Sequence, residues 1–359
     1  KTPLLSWRGK LSFLAERFRR KGTLADESID AFARRRAGRE TADIFADALV
    51  TGIYAGDPAL LSLPACFPRI AALERDYGSI LKGISASAKQ RAAAARARGE
   101  PKPKPGRIWS FDGGLRVLVE ALTASLRVPP ILGVRIRSLT KTGHPHKPTW
   151  TVHGEGRDSW SADAIVLTCP AHQQAPIVRD LDPTLAEEVA NIAFNEIAVV
   201  VLAFRAGDIP GGVDGFGFIT PERLRRDILG VQWCSSIFPG RAPQGVVLMR
   251  AMCGGWRRAD MVSWDDARLL AAVRAELKLV QNIAAEPVFH IIQRWRPGIP
   301  QYRLGHLARL ERIDASTIAH PGLYLAGNSY RGVAMNDCTE QAILLADRIS
   351  ASPSRQPRG

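Results

Sequence analysis

The stretch best equipped for chemistry lies near the C-terminal end. Leu323, Tyr324, Leu325 and Ala326 read as a short buried strand, and Gly327 and Asn328 turn it. A loop through Gly332 then leads to Asn336 and Asp337, placed to cap a helix reaching Ile349. A glycine-bearing loop lets backbone approach a ligand closely, and a helix start presents unpaired N–H groups to negative charge. A dinucleotide suits such a site, although strand–loop–helix crossovers are also ordinary parts of α/β folds. Other chemistries have little support. The seven histidines, His144, His146, His153, His172, His290, His306 and His320, show neither metal-ligand spacing nor a Ser partner in a G-x-S-x-G setting. No triad or metal centre is expected, and most of the histidines are assigned to surface or loops. The five cysteines, Cys66, Cys169, Cys234, Cys253 and Cys338, are odd in number and free of any C-x-x-C pattern. That argues against a disulfide framework or zinc site and fits a reducing cytosolic compartment.

The elements that must position this loop follow from periodicity. Residues 1–85 read as helices: Leu11, Phe13, Leu14 and Phe18 form an apolar side among Arg8, Lys10, Arg17, Arg19, Arg20 and Lys21. A second helix over 28–48 carries Arg34, Arg35 and Arg36, and ends before the turn at Tyr54–Pro58. Residues 85–105, rich in Ala, Arg, Lys and Pro, read as a solvated linker. After Gly113 and Gly114 an amphipathic helix follows (Leu115, Leu118, Val119, Leu122, Leu126), then a strand through Val134, Ile136 and Ser138. Residues 149–152 pair with 158–161, and 164–167 is a short buried strand. Strands recur at 198–204, 215–219, 228–232, 246–252 and 287–293, with one helix over 264–280. That block predicts a substantial mixed sheet.

A chain of 359 residues is long enough for two or three interleaved domains and a large cavity. Its net charge of +14 sits on an ordinary hydrophobic content, so it favours anionic partners: phospholipid, nucleic acid or an acidic substrate. The most apolar run, 192–204, is short and interrupted by Asn195 and Glu196, so membrane contact would be peripheral. The first residue is Lys1, with no leader pattern, and the chain reads as a fragment.

Taken together, Gly322-Leu-Tyr-Leu-Ala-Gly-Asn-Ser-Tyr-Arg-Gly-Val-Ala-Met-Asn-Asp-Cys338 closely resembles the C-terminal flavin motif of the protoporphyrinogen oxidase family. Gly52-Ile-Tyr-Ala-Gly-Asp-Pro58, Leu61-Ser-Leu, Phe67-Pro-Arg and Leu73-Glu-Arg-Asp-Tyr-Gly78 resemble its helical-domain signature. Gly215-Phe-Gly-Phe218, Ser235-Ser-Ile-Phe-Pro-Gly-Arg-Ala-Pro243, Gly254-Gly255 and Ile299-Pro-Gln-Tyr-Arg-Leu-Gly-His306 agree in order. The resemblance implies an α/β fold: a Rossmann-like FAD-binding domain, lacking its N-terminal βαβ unit, interleaved with a mixed-sheet substrate domain and a helical membrane-binding domain. The implied segments are 1–105 (helical, with a basic linker), 106–172 (FAD), 173–300 (substrate sheet) and 301–359 (C-terminal FAD part). No G-x-G-x-x-G occurs in the chain, and in the family that loop and a propionate-binding arginine lie upstream of the position matching Lys1. The fragment alone is therefore expected to be inactive.

The resemblance also implies site residues. Val333, Ala334 and Met335 match the loop and helix start against the flavin ring, Ile136 the strand position near adenine, and Trp295 a flavin-adjacent tryptophan. Ile219, Gln232 and Met252 match positions facing the tetrapyrrole; Gln232 stands where Leu is usual, and Met252 where some members have Phe. Each also suits plain packing in a core strand or sheet. No metal is implied. The expected activity is oxygen-dependent, FAD-dependent oxidation of protoporphyrinogen IX, with molecular oxygen as acceptor; coproporphyrinogen III is the near alternative. An amine oxidase or carotenoid desaturase would not explain the 53–58 stretch, and a non-catalytic basic module binding nucleic acid nonspecifically is the rival from another class. The implied location is cytoplasmic, peripheral on the inner membrane, with no specific nucleic-acid partner and with homodimer formation left open.

Overall fold

The computed structural model describes residues 3–101, 108–144 and 147–351. The fold is mixed α/β, and the chain divides into two compact units. The first takes residues up to Pro129 together with Asn195–Ile299; the second takes Pro130–Phe194 and everything from Pro300 on. The segments read from sequence as 1–105 and 173–300 fall mostly in the first unit, and 106–172 and 301–359 mostly in the second.

In the first unit, short helices start on serine caps: Ser6 accepts from the Gly9 N–H at 3.1 Å and Ser28 from the Ala31 N–H at 3.2 Å. The helix expected over 28–48 is broken. Ile29–Ala37 ends at Gly38, whose φ is +93°, and a Cβ there would lie 2.2 Å from Ser12 Oγ, so only glycine lets the chain turn at that point. Helix resumes at once beyond it, as Arg39–Thr41, a π-helical stretch Ala42–Ala46 and Asp47–Tyr54. The arginine run passes from exposed Arg34 to buried Arg36, and each member is paired with a carboxylate. Arg36 is fully buried and paired with Glu16, and it donates to the carbonyls of Arg19 (3.0 Å) and Gly78 (3.1 Å). Arg35 reaches Glu27 at 2.7 Å and Glu74 at 2.8 Å. The linker reading is also corrected: Ile80–Ala97 is an 18-residue helix capped by Ser79, because its alanines are the strongest helix formers. The remainder of that segment, 102–107 with Pro103 and Pro105, lies outside the described residues.

The same unit holds a five-stranded antiparallel sheet. Its strands are β5 (Ile197–Arg205), β6 (Gly217–Ile219), β7 (Ile228–Gln232), β8 (Val246–Gly254) and β9 (Phe289–Trp295), in the order β6-β7-β8-β5-β9. Period-two alternation gives it one core face. Ala198, Val200, Leu202, Met249, Ala251 and Cys253 cluster with Leu269, Val273 and Leu277 of the Asp266–Gln281 helix.

In the second unit, β1 (Ile136–His144), β2 (Lys147–Gly154) and β3 (Ser159–Ala162) form an antiparallel sheet, with Thr151 opposite Ser161. β4 (Ile165–Leu167) and β10 (Leu323–Leu325) pair in parallel, Leu323 beside Ile165. Three helices not foreseen in the sequence, Ala171–Val178, Pro183–Ala190 and His306–Ile318, supply much of the core around Trp150. Two of the histidines, expected mostly at the surface or in loops, are buried here: His306, at the start of its helix, and His320, in a loop between Asp182 (3.0 Å) and Lys141 (2.9 Å).

Burial opposes ionisation of Glu16, yet the Ser79 hydroxyl, Arg36 and the N–H groups of Ile80 and Leu81 outweigh it and hold the carboxyl below its ordinary range. Glu16→Gln should therefore cost about 3 kcal/mol, because Arg36 loses its buried carboxylate partner and keeps only Glu74 at 3.2 Å, read from urea unfolding at neutral pH. A group with a depressed folded pKa stabilises above its unfolded value and loses that contribution as pH falls through the folded one. The gap between wild type and variant should accordingly close in acid.

Candidate active site

The loop after β10 is held by a buried polar network. The Gln174 side chain is fully buried; its Nε2 donates to the carbonyls of Leu167 (3.2 Å) and Ala326 (3.0 Å), at the ends of β4 and β10. Its Oε1 accepts from the Tyr330 hydroxyl at 2.7 Å. Burial pushes the Tyr330 phenol far above its ordinary value, so it stays a neutral donor. Ser329 Oγ accepts from the Ala171 N–H at 3.0 Å. The Tyr330 carbonyl can only accept, so His306 Nε2, 2.9 Å away, carries the proton between them. His306 in turn stacks on Tyr302, ring centroids 4.2 Å apart. None of Gln174, Tyr302, His306, Ser329 or Tyr330 was singled out from the sequence as a positioning residue.

Two glycines shape the path of the chain from β10 into the last helix. At Gly327 φ is +111° and a Cβ would approach the Thr168 carbonyl to 3.0 Å; at Gly332 φ is +81° and a Cβ would sit 2.2 Å from Asp337 Cβ. The helix Met335–Ser350 begins on Ala334, so Asn336 and Asp337 lie inside its first turn rather than capping it. Alanine has no oxygen to offer, and Asp337 instead accepts from the Ala334 N–H at 3.4 Å. The helix thus starts with no side-chain cap on its own N–H groups and with the positive end of its dipole open. Val333 is half-buried there, while Ala334 and Met335 are exposed.

Ile136 lines a recess of about 1210 Å³ in the same unit, with Val134, Val152, Val166, Cys169 and His172. Burial lowers the pKa of His172, and its Nδ1 has no hydrogen-bond partner among the described residues. A large recess lined by apolar side chains together with Arg135 and Arg137, and carrying an orphaned ring nitrogen, fits a dinucleotide that has aromatic and anionic parts.

In the first unit, strand register collects the other predicted residues. Ile219 lies opposite Gly230, Gly230 opposite Met252, Met252 opposite Val199, and Val199 opposite Gln293, a row across all five strands. The next row runs Gly217, Gln232, Arg250, Val201, Ile291. Trp295, opposite Ile197, closes one end and is 54% exposed. Ile219, Gln232, Met252 and Trp295 thus come from four strands to one open, mainly apolar sheet face. Ile219 packs beside Gly52, where a Cβ would come within 3.0 Å of it. The 52–58 turn docks on Gly255, where a Cβ would lie 2.7 Å from the Ala55 carbonyl, and through the Trp256 N–H to that carbonyl (2.8 Å), and Arg257 bridges Asp47 (2.7 Å) and Asp57 (3.0 Å).

The family model for flavin containing amine oxidoreductase matches residues 3–350, and the chain belongs to that family. Within it, the chain is similar to porphyrinogen oxidases. It is 32% identical to chloroplastic protoporphyrinogen oxidase of Nicotiana tabacum, over 92% of this chain and 63% of the relative. It is 31% identical to protoporphyrinogen oxidase of Bos taurus (92% and 70%) and 29% identical to coproporphyrinogen III oxidase of Bacillus subtilis (89% and 66%). The chain thus spans 63% of the length of the tobacco relative. The fold matches a solved structure from Exiguobacterium sp. 255-15 at TM-score 0.76 and 24% identity, covering 97% of this chain and 73% of that one. It also matches cyclohexylamine oxidase from Brevibacterium oxydans at TM-score 0.63 and 14% identity, covering 97% and 77%.

Ala334→Ser would supply the missing cap. It should stabilise the Met335–Ser350 helix by about 1 kcal/mol, seen as a higher thermal midpoint, while occupying N–H groups otherwise open to a ligand.

Proposed function

We propose that the protein takes part in FAD-dependent, oxygen-dependent oxidation of protoporphyrinogen IX to protoporphyrin IX. The observation that carries this is the convergence of Ile219, Gln232, Met252 and Trp295 on one apolar sheet face, in a flavin oxidoreductase whose relatives are porphyrinogen oxidases. When bound, FAD supplies the acceptor of hydride from the macrocycle and passes the electrons to oxygen. The rest falls to the chain's own residues. Met252, Val199, Val201 and Ile291 offer a flat aliphatic floor for a tetrapyrrole and keep water from its reacting carbons. In the second unit, Ile136 is assigned to the adenine end of the cofactor. Val333, Ala334 and Met335 are assigned to its ring end, where the open helix start favours negative charge developing on the ring. The reaction needs orientation more than proton transfer, in keeping with a face almost free of titratable groups.

The test is oxidation by the full-length protein. Purified protein should be yellow and should release porphyrin fluorescence from reduced protoporphyrinogen, with about three peroxides per porphyrin for six hydrogens removed. A flavin-free, inactive preparation would favour a basic binding module instead.

The same proposal puts the protein in the cytoplasm, peripherally on the inner membrane. Trp7, Leu11, Leu14 and Phe18 follow one another at helical spacing through Trp7–Leu14 and the turn after it; Trp7 and Phe18 are each 80% exposed. Lys10 lies over Trp7 and Arg17 over Phe18, so cations flank the apolar row as they do at lipid interfaces. Among the described residues no helix is long and apolar enough to cross a membrane. Replacing Trp7 and Phe18 by Ser should reduce co-sedimentation with vesicles containing anionic lipid by about tenfold or more, given burial of two aromatic side chains.

A further inference from the structure

Arg250 departs from the rest of its sheet face. It lies opposite Val201 and Gln232 in the second cross-strand row, with Ile291 beyond Val201, so it stands among aliphatic side chains, yet it is exposed. The contrast with nearby arginines is chemical. Arg294, also on a strand of this sheet, is neutralised by Asp266 at 2.6 Å and donates to the carbonyls of Val262 and Trp264. Arg226 pairs with Glu276, and Arg257 with Asp47 and Asp57. Among the described residues no carboxylate pairs with Arg250; its hydrogen bond is to the side-chain carbonyl oxygen of Gln232. An amide oxygen orients a guanidinium without cancelling its charge. A guanidinium has five N–H donors in a planar fork, and a single acceptor leaves a pair of them able to grip a carboxylate in two parallel bonds. Its position is also specific: Met252 lies two residues along β8 on the same face, and Gln232 adjoins it across the ladder.

We propose that Arg250, held by Gln232, is the residue that receives a carboxylate of the tetrapyrrole and thereby fixes how the macrocycle lies over the Met252–Val199 row. This rests on the tetrapyrrole reading above. It gives a specific purpose to Gln232, where relatives usually carry Leu: an aliphatic residue there would leave the guanidinium free to swing into solvent.

The experiment compares reduced protoporphyrin IX as the free diacid with its dimethyl ester, using the full-length protein, Arg250→Met and Arg250→Lys. Arg250 is exposed, so both variants should fold, which circular dichroism checks. For Arg250→Met the KM for the diacid should rise about tenfold or more, the worth of one charged double hydrogen bond, with kcat changed little and the ester's KM unmoved. Arg250→Lys should recover part of the loss, since it keeps the charge without the fork. An unchanged KM for the diacid, or an equal rise for diacid and ester, would overturn the assignment and mark Arg250 as surface or packing only. Wild-type protein that holds flavin but oxidises neither compound would bring down the tetrapyrrole reading itself, and this assignment with it.

Discussion

One buried amide governs the second unit. Gln174 lies where β4 and β10 stop, and its Nε2 donates to the Ala326 carbonyl and adds a second donor to the Leu167 carbonyl, which also accepts from the Ala326 N–H at 2.9 Å. A buried backbone carbonyl must find a donor or cost free energy, so the ends of the two strands and the turn at Gly327 are tied to this side chain. Tyr330 completes the arrangement by donating to the amide oxygen, and His306 then secures the Tyr330 carbonyl. The loop that enters the Met335–Ser350 helix inherits its place from these bonds. Because each member of such a network is satisfied only when the others are in position, it specifies one loop conformation rather than several.

The first unit uses a different principle. An antiparallel sheet can bury one face and leave the other to a ligand, and here the Asp266–Gln281 helix takes the core face. The open face gains its character from register alone. Ile219, Met252, Val199 and Gln293 share a row because β6, β7, β8, β5 and β9 are ordered as they are, with an irregularity between Ile228 and Gly230 that sets the phase of β7. The 52–58 turn, pinned by Arg257 and docked on Gly255, brings Gly52 against Ile219 and so fixes one border of that face.

Much of this was legible in the residues, and the failures have physical reasons. A continuous apolar, β-branched run such as β5 declared itself as a strand because eight of its nine residues are apolar and it is bounded by Glu196 and Arg205. The Ala171–Val178 helix did not, since Pro176 sits inside it and its polar His-Gln-Gln run hides a buried amide. Asp182 followed by Pro183 was a readable start signal for the next helix, and Asp182 does accept from the Leu185 N–H at 2.9 Å. Alanine-rich 85–97 resembles low complexity by composition, but its intrinsic propensity is helical. Helix caps were misplaced by two residues at Ala334, because a cap with no polar side chain leaves no mark. The site residues themselves came from a resemblance; that four of them share one face depends on register, which a single sequence does not display.

Each unit is assembled from two stretches far apart in the chain, which crosses between units near residues 130, 195 and 300. During synthesis the β5–β9 sheet therefore cannot close until its edge strand β9 has left the ribosome. The parallel pair must wait longer still, because β4 emerges more than 150 residues ahead of β10. Throughout that interval the apolar faces of half-built sheets are exposed together, the condition in which non-local folds are most prone to stick to one another. The order of the chain thus favours slow maturation, independently of how stable the finished molecule is.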